Sequence, residues 1–166
     1  MIDVMDRRGA LAVFAALQIV LACKAEGESP SERTSPRATS LRFVSAPPEG
    51  EVATLVQREV EKAKRDGRTL LVYTGAAWCD PCRRFHEAAI RGELGAELDG
   101  ITLLEFDLDR DAERLRAAGY SSKYIPLFVR PAADGRSTGK QIEGSVKGDG
   151  AVREISPRLA ALVRSE

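Results

Sequence analysis

Two cysteines, Cys79 and Cys82, sit where a β-prone run gives way to a helical pattern, and little else in the chain limits the fold so strongly. Residues 69–74 are β-prone without a break, which predicts a strand covered on both faces. Residues 80–91 then place Cys82, Phe85, His86 and Ala89 on one helical stripe. The same alternation runs through the folded part. Residues 41–44 predict a short edge strand. Residues 51–66 predict an amphipathic helix and residues 101–106 a second buried strand. Residues 111–118 predict a short helix closed by Gly119. Residues 126–129 and 140–143 predict a hairpin. Ser156-Pro157 reads as an N-cap and first-turn proline that open a last helix. The order (β)αβαβαββα predicts an α/β fold, a mixed sheet flanked by helices, with parallel pairing across the helices and antiparallel strands at the end.

The rest of the chain reads as appendages to this domain, placed at residues 41–166. Arg7 and Arg8 precede an apolar stretch over residues 11–22 that is broken only by Gln18, which fits an exported signal peptide. The stretch is short for a spanning helix. It ends in Val20-Leu21-Ala22-Cys23, which is similar to the bacterial lipobox. That similarity implies that residues 1–22 are removed and that Cys23 carries lipid. Residues 23–40 are rich in Ser, Pro, Thr and Glu and carry no aromatic residue, which predicts a flexible tether spanning roughly 20–25 Å.

Charge narrows the function. Lys and Arg number 25 and Asp and Glu number 25. This balance gives no basic excess for a nucleic-acid partner. Structural zinc takes four ligands, and Cys79, Cys82 and a single histidine fall short, so no metal is expected.

The chemistry is expected at Trp78-Cys79-Asp80-Pro81-Cys82. This spacing lets two sulfurs form and break a disulfide without backbone movement. Cys79 would stand at the helix N-terminus, where free N–H groups and the positive dipole end stabilise a thiolate. Cys82 would lie one turn deeper, more buried and less reactive. Pro81 suits the first helical turn. Arg83 and Arg84 read as solvated helix residues, and Asp80 as a charge that modestly opposes thiolate formation.

Residues 73–82, with Ile125-Pro126 ahead of a later strand, resemble the active-site signature of the thioredoxin superfamily. The resemblance covers about residues 50–166. It is greatest to bacterial cell-envelope thioredoxin-like proteins, such as the C-terminal domain of the thiol:disulfide interchange reductase. It implies a thioredoxin fold, Cys79 as nucleophile, Cys82 as resolver, and a cis-proline at Pro126 facing the dithiol. Trp78 would shape the rim. Where thioredoxins carry a buried Asp this chain has Tyr73, and Glu105 stands where its strand partner is usually Lys. Glu105 or His86 is then the candidate proton acceptor for Cys82.

The implied function is a monomeric, membrane-tethered thiol–disulfide oxidoreductase on the periplasmic face of a bacterial envelope. It would use no cofactor beyond the Cys79–Cys82 disulfide. Its partners would be envelope protein disulfides or dithiols and an electron donor. Two alternatives stay open, a redox-inert peptide-binding module and a disulfide-donating oxidant.

Overall fold

The run at residues 69–74 becomes the centre of a five-stranded sheet in the computed structural model, which describes residues 40–165. The predicted signal peptide, Cys23 and the tether before residue 40 lie outside the described residues. The strands are β1 (Arg42–Ser45), β2 (Thr69–Gly75), β3 (Ile101–Asp107), β4 (Leu127–Pro131) and β5 (Ser137–Glu143), and the helices are α1 (Val52–Arg65), α2 (Asp80–Ile90), α3 (Leu108–Ala117) and α4 (Ala151–Arg164). The sheet order is β1-β3-β2-β4-β5. Strand β3 pairs in parallel with β1 and β2. Strand β4 pairs antiparallel with both β2 and β5. Thus β4 reverses direction even though α3 separates it from β3.

Side-chain alternation divides the core between the two faces of the sheet. Leu70 and Val72 face a cluster with Val52, Val56 and Ala63 of α1 and Leu115 of α3. Leu71 and Tyr73 face the other cluster, with Phe85 of α2 and Ile155 and Leu159 of α4. A strand lined on both sides needs no polar alternation, which is why residues 69–74 read as an unbroken run. Tyr73, Phe85 and Phe128 pack ring to ring, with Tyr73–Phe128 and Phe85–Phe128 centroids 5.0 and 5.3 Å apart. Truncating a buried phenylalanine of this kind costs about 3–5 kcal/mol.

Two helix starts and one helix face differ from the sequence reading. Helix α3 begins at Leu108 rather than Asp111, because Asp107 caps it by accepting from the N–H groups of Asp109 and Arg110. The apolar stripe of α2 runs through Ala88, which is buried, and not through Ala89. Helix α4 starts at Ala151, so Ser156 and Pro157 lie inside it and Ser156 is not its cap. Ala151, Ile155, Leu159 and Leu162 form one buried stripe that crosses the proline, and their burial outweighs the local N-cap signal and the proline's helix-interior cost. The Ser156 hydroxyl donates back to the Val152 carbonyl at 2.9 Å.

Among the described residues, no helix is long and apolar enough to cross a membrane.

Candidate active site

Strand β2 delivers the chain to the cysteine pair, and Gly75 permits the exit. A Cβ on Gly75 would lie 2.6 Å from the Tyr73 hydroxyl oxygen, so the close approach of that ring requires glycine. The chain then turns, with the Cys79 N–H donating to the Ala76 carbonyl at 3.1 Å. Cys79 is the N-cap of α2, and its sulfur accepts the N–H of Cys82 at 3.3 Å. Sulfur therefore stands where a cap oxygen ordinarily stands, and the same N–H would stabilise a thiolate after reduction. Pro81 occupies the first turn, where no N–H is needed.

Cys79 and Cys82 are joined as a disulfide, with Cα atoms 5.3 Å apart. The expectation that Cys82 is the more buried does not hold, since the two residues are 4% and 3% exposed. The fold separates them by direction. Cys79 lines a cavity of about 630 Å³ together with Trp78, Tyr124, Ile125, Val146 and Lys147. Cys82 lines a different one of about 520 Å³ together with Tyr73, His86, Glu105 and Arg110.

The Cys79 cavity has an aromatic and apolar rim. Trp78, Tyr124 and Val146 are 66%, 56% and 52% exposed, unusually high for large apolar side chains. The indole N–H of Trp78 donates to Asp109 at 2.9 Å, which fixes the ring plane. The Ile125–Pro126 bond is cis, and Ile125 lines this cavity.

The Cys82 cavity is backed by the sheet. Parallel register places Tyr73 opposite Glu105. Nε2 of His86 lies 3.5 Å from Oε1 of Glu105, so the two candidate acceptors form one pair. Phe43 of β1 lies against the imidazole, with centroids 4.0 Å apart and planes tilted by 30°. Burial, and then the Glu105 charge, push the Tyr73 phenol well above the usual tyrosine range. Tyr73 therefore stays protonated and is no proton acceptor for Cys82.

Asp80 is more than a charge beside the nucleophile, and Arg84 is more than a solvated helix residue. Oδ2 of Asp80 accepts the Gly148 N–H at 2.8 Å, and Oδ1 accepts from Arg83 and Arg84 at 3.0 and 3.1 Å. Arg84 continues to Asp149 at 2.7 Å. The Gly148 N–H, followed by Arg84, holds the Asp80 carboxyl below the usual carboxylate range. The negative charge beside Cys79 is thus largely compensated locally. Sequence spacing held no sign of Gly148, Asp149, Asp109 or Phe43 as site residues. Among the described residues, no cluster of three or more His, Cys, Asp or Glu is placed to hold a metal ion.

The model of a thioredoxin-like family matches residues 53–131, which hold both cysteines and the cis-proline. Among solved structures, the chain is similar to a mutant thioredoxin from Halobacterium salinarum NRC-1, with 19% identity, 78% of this chain and 92% of that chain covered, and a TM-score of 0.46. It is also similar to a thioredoxin of Trichomonas vaginalis, with 20% identity, 78% and 99% covered, and a TM-score of 0.45. A thioredoxin of Fasciola hepatica shares 22% identity, with 62% and 86% covered and a TM-score of 0.39. No curated protein matches the chain.

Proposed function

We propose that the chain is a thioredoxin-superfamily thiol–disulfide oxidoreductase that reduces disulfides of cell-envelope proteins while tethered to a membrane. The observation that carries this reading is the Cys79 sulfur at the cap of α2, lining a cavity with an exposed aromatic rim.

The chemistry needs only sulfur. The Cys79 thiolate attacks one sulfur of a substrate disulfide, forms a mixed disulfide and releases the first substrate thiolate, which takes a proton. Cys82 then loses its proton and attacks the Cys79 sulfur. The second substrate thiolate leaves, and the Cys79–Cys82 disulfide forms. Two electrons pass from the dithiol to the substrate, so no metal or organic cofactor takes part. A thiol-class donor must return them. The His86–Glu105 pair, which lines the same cavity as Cys82, accepts the resolving proton.

Membrane attachment rests on the apolar stretch ending in Val20-Leu21-Ala22-Cys23. A lipid on Cys23 and the tether after it would confine the domain to substrates on one membrane face.

The test is a trap. In full-length Cys82→Ala the mixed disulfide has no internal escape, so exported proteins accumulate on Cys79 and are released by thiol reductant. A trap that holds nothing releasable by reductant removes the reading. Fatty-acid labelling tests the anchor in parallel. The wild type should be labelled and Cys23→Ser should not, and equal labelling of both refutes lipidation.

A further inference from the structure

We propose that Asp80 is a positioning residue that latches one wall of the Cys79 cavity to the turn carrying the nucleophile. The proposal rests on the thiol–disulfide reading of this site and goes beyond it by assigning what sets the width of the substrate slot.

The wall is the segment over residues 144–147, between β5 and the short turn at Gly148–Gly150 that leads into α4. Its near end is tied to the sheet and to α4. The Gly144 N–H donates to the Pro126 carbonyl at 2.9 Å, and Arg158 donates to the Gly144 carbonyl at 3.0 Å. Its far end is tied to α2 by two bonds, from the Gly148 N–H to Asp80 at 2.8 Å and from Arg84 to Asp149 at 2.7 Å. Val146 and Lys147 lie between these anchors and line the cavity.

Asp80 is the first residue of α2, where a carboxylate ordinarily turns to its own helix N–H groups. Here it reaches across to another element. It also follows Cys79 directly, so the nucleophile and the wall are coupled through one side chain. The rim residue Trp78, which lines the same cavity, is held separately by Asp109. The slot thus lies between two features that are each pinned by a carboxylate. A polypeptide disulfide must lie along this slot and feels its width. A small disulfide needs only the sulfur of Cys79.

Two variants separate this role from the charge of Asp80. Asp80→Asn and Asp80→Ala both remove the negative charge beside Cys79. Only the Asn variant keeps an oxygen that accepts the Gly148 N–H. Iodoacetamide alkylation of reduced Cys79 against pH should therefore shift equally in both. Insulin serves as the polypeptide disulfide and hydroxyethyl disulfide as the small one. The KM for insulin should rise roughly tenfold in Asp80→Ala, the effect of losing the hydrogen bond outright, and stay within about twofold of wild type in Asp80→Asn, which keeps an accepting oxygen. Rates with hydroxyethyl disulfide should be the same in both variants. Equal insulin KM in the two variants overturns the proposal. So does an equal loss of Asp80→Ala activity on both disulfides relative to Asp80→Asn. If the wild type reduces neither disulfide, the oxidoreductase reading fails separately. Hydrogen exchange at the Gly148 amide then judges the latch, which stands if exchange is faster in Asp80→Ala than in wild type and falls if the rates are equal.

Discussion

The two sulfurs of one disulfide face regions built by different means. The Cys79 side is made largely of loop and helix-end residues, among them Trp78, Tyr124 and Val146, whose side chains are mostly exposed. The Cys82 side is backed by sheet, with Tyr73 and Glu105 in paired register and Phe43 on the neighbouring edge strand. Loops change shape at little cost to the core, whereas a strand residue cannot slip without moving every neighbour to the wrong face. On the proposed function, recognition would sit on loop and helix-end residues and proton handling on residues that the sheet register holds.

The strongest challenge to this division is removal of one sulfur at a time. Cys79→Ser should abolish reduction of any disulfide, while Cys82→Ala should still attack and stall as the mixed disulfide. Iodoacetamide on the reduced wild type should modify Cys79 much faster than Cys82 at neutral pH. Comparable rates would erase the distinction, because exposure does not separate the two residues.

A smaller effect is expected from the proton side. Glu105→Gln and His86→Ala should slow resolution by about 10²–10⁴-fold and leave the attack step unchanged, as single-turnover kinetics can show. A change below about threefold in both would assign the proton to water and leave the Cys82 cavity without a chemical role.

The smallest expected effect concerns the frame outside both regions. Asp111 is fully buried at the start of α3 and accepts from Arg110 and Arg114 at 2.8 and 2.9 Å. Burial alone would raise its carboxyl, but these bonds and the Asp107 N–H outweigh it and hold the group below the usual range. A depressed folded value means that the carboxylate contributes stability above its unfolded value, near pH 4, and loses it as pH falls through the folded value. Asp111→Asn should cost ~2–4 kcal/mol at pH 7. In urea unfolding, its gap from wild type should shrink on acidification. A gap independent of pH would refute the ionised role.

How much of this was legible depended on how far apart the partners lie in the chain. The strand runs, the helices and the cysteine pair were readable because each signal is local. The site pair Glu105 and His86 could be named, but not their contact, which depends on β3 lying beside β2 in parallel register. Ser156-Pro157 misled because a local cap signal competed with a longer buried stripe. Asp80 looked like an unfavourable charge because its main hydrogen-bond donor, the Gly148 N–H, comes from 68 positions away. Phe43 showed only as part of an edge strand, because its contact with His86 needs the sheet order.

That edge strand has a consequence for how the molecule opens. Strand β1 pairs with β3 alone, over Arg42↔Thr102 to Ser45↔Glu105. Arg42 and Arg68 reinforce it, both bonding to Thr102, with Arg68 also reaching the Ser40 carbonyl at 2.6 Å. A four-residue strand with one neighbour separates at a lower free energy than the central sheet. If it separated, Phe43, which lies against His86 and Phe85, and Ser45, which lines the Cys82 cavity, would leave with it. The N-terminal edge of the described domain therefore bears on the Cys82 cavity, which Ser45 lines, and not on the Cys79 cavity, whose lining holds no residue of β1.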